Sequence, residues 1–261
     1  MAGVETDAMH GAGKARRGIP TWLRTVLVVV GVVLAVYMLS YVLIKAKVLQ
    51  VNQFFVPDAP VGVDVSNHQA KVDMQAMKDQ GMQFVYIKAT EGASYYDKYF
   101  QVNWDSAGEV GLPRGAYHFF SFDSPGADQA QNYIQTVGSL EGALVPVVDV
   151  EWYGDKKENP PAKEDVVREL KAFSDAIEAE YGVKPMIYAT DLYDKYLEED
   201  FDGYSRWVRS VFLPVWVYEG DGWLVWQYSD TGQLEGSTGH EQSFDLNVLN
   251  PSVSIDDLLV K

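Results

Sequence analysis

The chain of 261 residues contains no cysteine, which excludes disulfides, thiolate nucleophiles, cysteine-based zinc sites and iron–sulfur clusters. Histidine is scarce too. His10, His68, His118 and His240 are the full set, and no two stand at metal-ligand spacing, so no dedicated metal site and no cofactor is expected. No G-x-S-x-G stretch supports a serine hydrolase of that type. The fragment GAGKA lacks the G-x-x-x-x-G-K-[ST] spacing of a phosphate-binding loop, and no strand precedes it. No internal repeat is visible.

Positive charge is in short supply: 21 Lys and Arg stand against 37 Asp and Glu, for a net charge of -16. The imbalance is uneven. Lys14, Arg16, Arg17, Arg24, Lys45 and Lys47 face only Glu5 and Asp7 in residues 1–47, which are +4 and leave -20 on residues 48–261. Such an acidic body repels phosphate backbones and argues against a nucleic-acid partner.

Charge vanishes between Thr25 and Ile44, in TVLVVVGVVLAVYMLSYVLI. As a helix, twenty such residues span about 30 Å, the hydrocarbon thickness of a bilayer. A cleaved signal peptide is the rival reading, but its apolar core is usually shorter and no clean A-x-A site follows. The expected division is a basic cytoplasmic tail over 1–24, a transmembrane anchor over 25–44, a linker over 45–60 ending in PDAP, and an exported domain over 61–261. Residues 1–20, rich in Gly, Ala and basic residues, read as disordered.

Within the exported domain, strand-like runs alternate with amphipathic ones. The strands are expected at 61–66, 83–90, 114–120, 143–151, 185–190, 206–211, 223–229 and 243–249, with LPVWVYEG (213–220) as an alternative sixth. Helices are expected at 73–81, 99–111, 127–140 and 163–182. This is an α/β pattern of parallel βαβ units. Eight strands in about 200 residues suggest a modified (β/α)8-type barrel with short or missing helices in its second half.

The strand VPVVDVE carries Asp149 and Glu151 two positions apart, so both side chains share one face. One strand acid alone is most often structural, hydrogen-bonded or paired with arginine. Here four acids, Asp64, Asp149, Glu151 and Asp245, lie in or at the ends of strands, and barrel active sites sit at strand C-terminal ends. Aromatic residues occupy the same strands, namely Tyr86, Tyr117, Tyr188, Trp226 and Tyr228, with Trp152 just beyond. Half of these suffice for core packing, whereas aromatic faces beside a polar cleft suit sugar rings. Acids and aromatics together point to glycoside hydrolysis. His68 and His118 read as neutral structural residues.

The runs GVDVSNHQ, YIKATEG, GAYHFF, VPVVDVE, MIYAT and WQYSDTGQLEG…FDLNVL occur in that order. Together they resemble glycoside hydrolase family 25, the Chalaropsis-type lysozymes, over roughly residues 61–250. The resemblance implies an N-acetylmuramidase that cleaves the β-1,4 bond between N-acetylmuramic acid and N-acetylglucosamine in peptidoglycan. It implies Glu151 as general acid and Asp149 as its acidic partner, with Asp64 and Asp245 completing the ring. Tyr86, Tyr117, Tyr188, Trp226 and Gln227 form the expected substrate-binding set. RWVRSVFLP departs from the commoner W-x-A-x-Y form and places Arg209 near the substrate. Attack by the substrate's own acetamido group, by an Asp nucleophile or by water all remain open. The competing readings are a non-catalytic wall-binding module on the same fold, or a hydrolase of another N-acetylated glycan.

Overall fold

The structure is a computed structural model that describes residues 20–46, 51–190, 192–217 and 222–261. The chain divides into two units, Met1–Leu49 and Gln50–Lys261.

In the first unit, Thr21–Lys45 forms helix α1. It begins on Pro20, whose carbonyl accepts from Leu23 N and Arg24 N. The helix therefore takes up residues 21–24, which the charge pattern assigns to the tail, and Arg24 lies within it. Thr21–Leu43 is long and apolar enough to cross a membrane, and its side chains are unburied. The expected disorder of residues 1–19 and the placement of Lys47 lie outside the described residues.

The second unit is a barrel. Its strands are β1 (Val61–Val65), β2 (Phe84–Glu91), β3 (Tyr95–Tyr96), β4 (Arg114–Phe119), β5 (Val147–Val150), β6 (Met186–Ala189), β7 (Arg206–Arg209), β8 (Val225–Gln233) and β9 (Ser243–Leu249). The sheet order is β1-β9-β8-β7-β6-β5-β4-β2-β3, and β1 also pairs with β2. Eight strands thus close the barrel, and β3 is a two-residue edge on β2. All eight expected strands are present. Only β9 keeps its expected bounds; five others shift by a residue or two, and two shift further: Pro146 lacks an N–H, so β5 begins only at Val147, and β8 continues to Gln233 through two register shifts.

Helices α2 (Met74–Asp79), α3 (Phe100–Glu109), α4 (Gly126–Val137) and α5 (Lys163–Tyr181) cover the first half at the expected places. Their starts and stops follow local chemistry. Asp73 caps α2 by accepting from Ala76 N at 3.0 Å, and Gly182, at φ 72°, terminates α5. Among the described residues, only the five-residue π-turn Tyr193–Leu197 follows β6, and only the 3-10 turn Val215–Val217 follows β7. Val215–Val217 is therefore no strand, and residues 218–220 of that alternative lie outside the described residues. One expectation is overturned: β9 runs antiparallel to both β8 and β1, so the barrel is not all-parallel.

Strand alternation builds two layers. Outward residues such as Val148 and Val150 pack under the helices with Tyr133, Leu170, Phe173 and Ile177. Inward residues Phe84, Tyr86, Met186, Trp207, Val225 and Leu249 fill the lower barrel. Two glycines make that filling possible, since a Cβ at Gly62 would overlap Phe84 and one at Gly115 would overlap the Tyr86 ring. A third cluster, on the outer side of the last strands, joins Val208, Val215, Trp223, Trp226, Tyr228 and Val248. Val56 and Ala59 pack on this cluster, and Asn52 is fully buried. The stretch 51–59, expected as linker, is thus part of the barrel unit.

Candidate active site

The carboxyls Asp64, Asp149, Glu151 and Asp245 line one cavity of about 210 Å³ with Tyr117 and Tyr188. Each arrives by strand geometry. Asp64 is next to last in β1. Asp149 lies in β5, and Glu151 follows it by two residues with the same facing. Because β9 is antiparallel, its beginning lies beside the ends of the other strands, and Asp245 is the direct register partner of Asp64. The cavity therefore opens at the C-terminal end of the parallel strands, where barrel active sites form.

Burial dominates the electrostatics. It raises the carboxyls of Asp64 and Asp149 well above the usual range, with neighbouring acids adding to the effect: chiefly Asp245 for Asp64, and Glu151 for Asp149. Asp245 is pushed up to about 7 by burial and then by Asp230. Glu151 is raised by burial, against the pull of Arg209 and Lys88. Four carboxyls in one desolvated space cannot all ionise, so the cluster holds protons at neutral pH.

The partners of these acids are specific. Asn247 Nδ2 donates to Asp64 Oδ2 at 2.8 Å, and Trp207 Nε1 donates to Asn247 Oδ1 at 2.9 Å. The indole thereby fixes which way the amide points. The Tyr188 hydroxyl lies 2.8 Å from Gln227 Oε1, and its hydrogen bond to Glu151 favours that group's carboxylate form. Asp149 Oδ1 is buried and has no hydrogen-bond partner among the described residues. Such an atom costs free energy unless something else supplies a donor.

Residues 63–237 match the family model for glycosyl hydrolases family 25. The chain belongs to that family. A family 25 glycosyl hydrolase structure from Bacillus anthracis superposes with TM-score 0.69 at 41% identity, covering 74% of this chain and 90% of that one. YegX of Escherichia coli strain K12 is 37% identical over 198 residues, covering 74% of this chain and 70% of that protein. Lysozyme M1 of Streptomyces globisporus is 30% identical over 210 residues, covering 74% and 68%. This chain is a glycoside hydrolase of the lysozyme class.

Not every expected substrate-binding residue of this family 25 barrel reaches the cavity. Tyr117 and Tyr188 do. Tyr86 does not: it is fully buried one layer below, its hydroxyl donating to Val145 O at 3.2 Å, and it serves as floor. Trp226 faces the outer cluster, and its Nε1 donates to Ser210 O at 2.9 Å. Adjacent strand residues point to opposite faces, so Trp226 turns outward as Gln227 turns inward. Gln227 is buried behind Tyr188 and acts through it. His118 is buried between Thr90 Oγ1 (2.7 Å) and Gln129 Oε1 (3.0 Å), and burial lowers it to about 4. It is neutral and structural, as expected. His68 lines the cavity, with its ring 5.4 Å from that of His240.

Sequence reasoning missed three contributors. Lys88 lines the cavity, bonds Glu91 Oε2 at 2.7 Å and lies 4.7 Å from the Phe119 ring centroid. It was legible as an inward position two residues after Tyr86. Trp207 and Asn247 were equally legible by parity, as inward neighbours of Arg209 and Asp245. Arg209 itself bonds Asp230 Oδ2 at 2.6 Å.

Proposed function

We propose that this glycoside hydrolase is a peptidoglycan muramidase in which Glu151 is the general acid for the β-1,4 bond between N-acetylmuramic acid and N-acetylglucosamine. The observation that carries the assignment of roles is the unpartnered, buried Asp149 Oδ1 beside Glu151. An acetamido N–H on the sugar at the cleavage point gives that oxygen its donor. Accepting this bond favours the Asp149 carboxylate and lowers its proton affinity. The coupled pair then shifts its proton toward Glu151, where the leaving oxygen needs it. Asp149 in turn holds the acetamido group for attack on the anomeric carbon.

Tyr188 and Tyr117 flank the reacting sugar, and Asp64 and Asp245 keep the pocket proton-rich. The Trp207–Asn247–Asp64 chain fixes the orientation of that wall. The substrate partner is the glycan strand of the cell wall. Helix α1 anchors the enzyme, uncleaved, with residues before it in the cytoplasm and the barrel outside. Between Lys45 and Val51 lie six residue steps, at most ~22 Å when extended. That restricts the enzyme to membrane-proximal wall and favours remodelling of the producer's own peptidoglycan.

The test is digestion of purified peptidoglycan by the detergent-solubilised full chain, with mass analysis of the products. N-acetylmuramic acid at the new reducing ends supports the proposal. Reducing-end N-acetylglucosamine indicates a glucosaminidase, and binding without release indicates a wall-binding module.

A further inference from the structure

The most exposed apolar side chains of the barrel unit include a group from two separate stretches, residues 51–56 (VNQFFV) and 210–217 (SVFLPVWV). Neither stretch carries a charge, although residues 48–261 as a whole are strongly acidic. Phe54 is 80% exposed, Val217 54% and Trp216 47%, with Phe55 and Leu213 close behind. Exposure of this kind at several neighbouring large residues marks a surface made to meet another apolar phase.

The two stretches are joined by hydrogen bonds and ring contacts. Asn52, fully buried, donates through Nδ2 to Ser210 O at 2.6 Å and Tyr228 O at 3.3 Å. Trp226 Nε1 donates to the same Ser210 carbonyl. The Trp216 ring lies edge-on to Phe55 (6.1 Å) and to Trp226 (5.8 Å), and Trp226 meets Trp223 (6.3 Å). Trp226 thus serves as the buried base of an aromatic cluster whose outer members, Trp216 and Phe55, are exposed.

We infer that this surface is a lipid-docking face, which seats the barrel in the interfacial layer of a phospholipid bilayer by apolar insertion. The inference rests on the reading of α1 as a membrane anchor. Chain continuity selects the occupant. Val51 follows Lys45 by six residues, so the patch begins at most ~22 Å of contour from the end of an apolar helix of bilayer-spanning length. Trp and Phe are residues of the membrane interface, where an amphipathic ring is stable between headgroups and acyl chains. The patch brings no cation, so docking depends on apolar contact and is insensitive to salt and to anionic lipid. The face begins directly after β7, whose end is at the cavity, so docking sets the distance of the active site from the membrane.

The native chain lacks cysteine, which makes single-site labelling direct. The full chain carrying Val217→Cys, and separately the exposed control Gln131→Cys, is labelled with an environment-sensitive fluorophore. Each is reconstituted into phosphatidylcholine vesicles, and activity on soluble glycan fragments confirms the fold. The expected result is a blue-shifted emission at 217 that loses most of its intensity to a shallow nitroxide lipid, unchanged by added salt. The control stays quenchable by aqueous iodide. Adding Phe54→Ser should weaken the lipid quenching at 217. Equal iodide access at 217 and 131 overturns the inference. Shielding at 217 without lipid quenching, with copies cross-linking through the patch, overturns it in favour of self-association. Failure of the chain to float with vesicles overturns both the anchor and the docking face, and is distinct from either result.

Discussion

Asp64 and Asp245 face each other as register partners on neighbouring antiparallel strands, both in a buried cavity. Like charges in that position destabilise a sheet, so the pair trades stability for a proton-rich pocket. Asp245 is raised to about 7 when folded, far above its unfolded value. A raised carboxyl stabilises the fold fully below its unfolded pKa, and that contribution is lost as pH rises through the folded pKa. Thermal stability should therefore fall between about pH 4 and 7. Asp245→Asn should flatten this decline and raise stability at neutral pH by on the order of 1–3 kcal/mol, while lowering activity. Melting curves across that range read both effects.

Lys88 holds down the proton affinity of Asp149 and Glu151 from inside the cavity. Lys88→Met keeps the stem and removes the charge. Both limbs of the pH–rate profile should then move to higher pH, by about one unit for a charge this close. An unchanged profile would remove Lys88 from the electrostatics of the site.

The indole of Trp207 orients the Asn247 amide toward Asp64. Trp207→Phe keeps most of the ring and deletes the N–H. A lost net hydrogen bond is worth about 1 kcal/mol, so kcat should fall by roughly fivefold with little change in KM. Asn247→Ala removes the direct donor and should cost more. It should also push Asp64 further upward, visible as an altered pH profile.

Tyr86 belongs to the floor of the barrel, not to the substrate surface. Tyr86→Phe should keep kcat and KM within about twofold while costing roughly 1 kcal/mol of stability for the bond to Val145 O. Gly115→Ala, which drives a Cβ into the Tyr86 ring, should destabilise by about 1–3 kcal/mol. A large KM increase in Tyr86→Phe would return the residue to the substrate surface.

Strand alternation made much of the site legible. It placed Asp149 and Glu151 on one face, and the same parity reaches Lys88 and Trp207. Parity states which way a side chain points and is silent on depth, so Tyr86 and Lys88 read alike although one is floor and the other wall. Trp226 and Gln227 are adjacent in one strand, so alternation alone forbids both from facing inward. The antiparallel β9 leaves no mark in its own pattern, because alternation reads the same in both directions. Loop length does not betray it either: strands at 223–229 and 243–249 leave thirteen residues, room for the dozen or more that a parallel crossover needs, and the gap shrinks to nine only because β8 runs on to Gln233.

The central claim is that Glu151 protonates the leaving oxygen. The most direct measurement compares wild type with Glu151→Gln on a series of aryl glycosides of the N-acetylglucosaminyl–N-acetylmuramic acid disaccharide, ordered by phenol acidity. Loss of a general acid typically costs 10²–10⁴-fold, roughly what the variant should lose on natural glycan and poor phenol leaving groups. The deficit should shrink toward nothing for strongly acidic phenols, which depart without a proton. A deficit of equal size across the whole series, or a variant within about threefold of wild type on natural glycan, well short of the expected loss, would contradict the account.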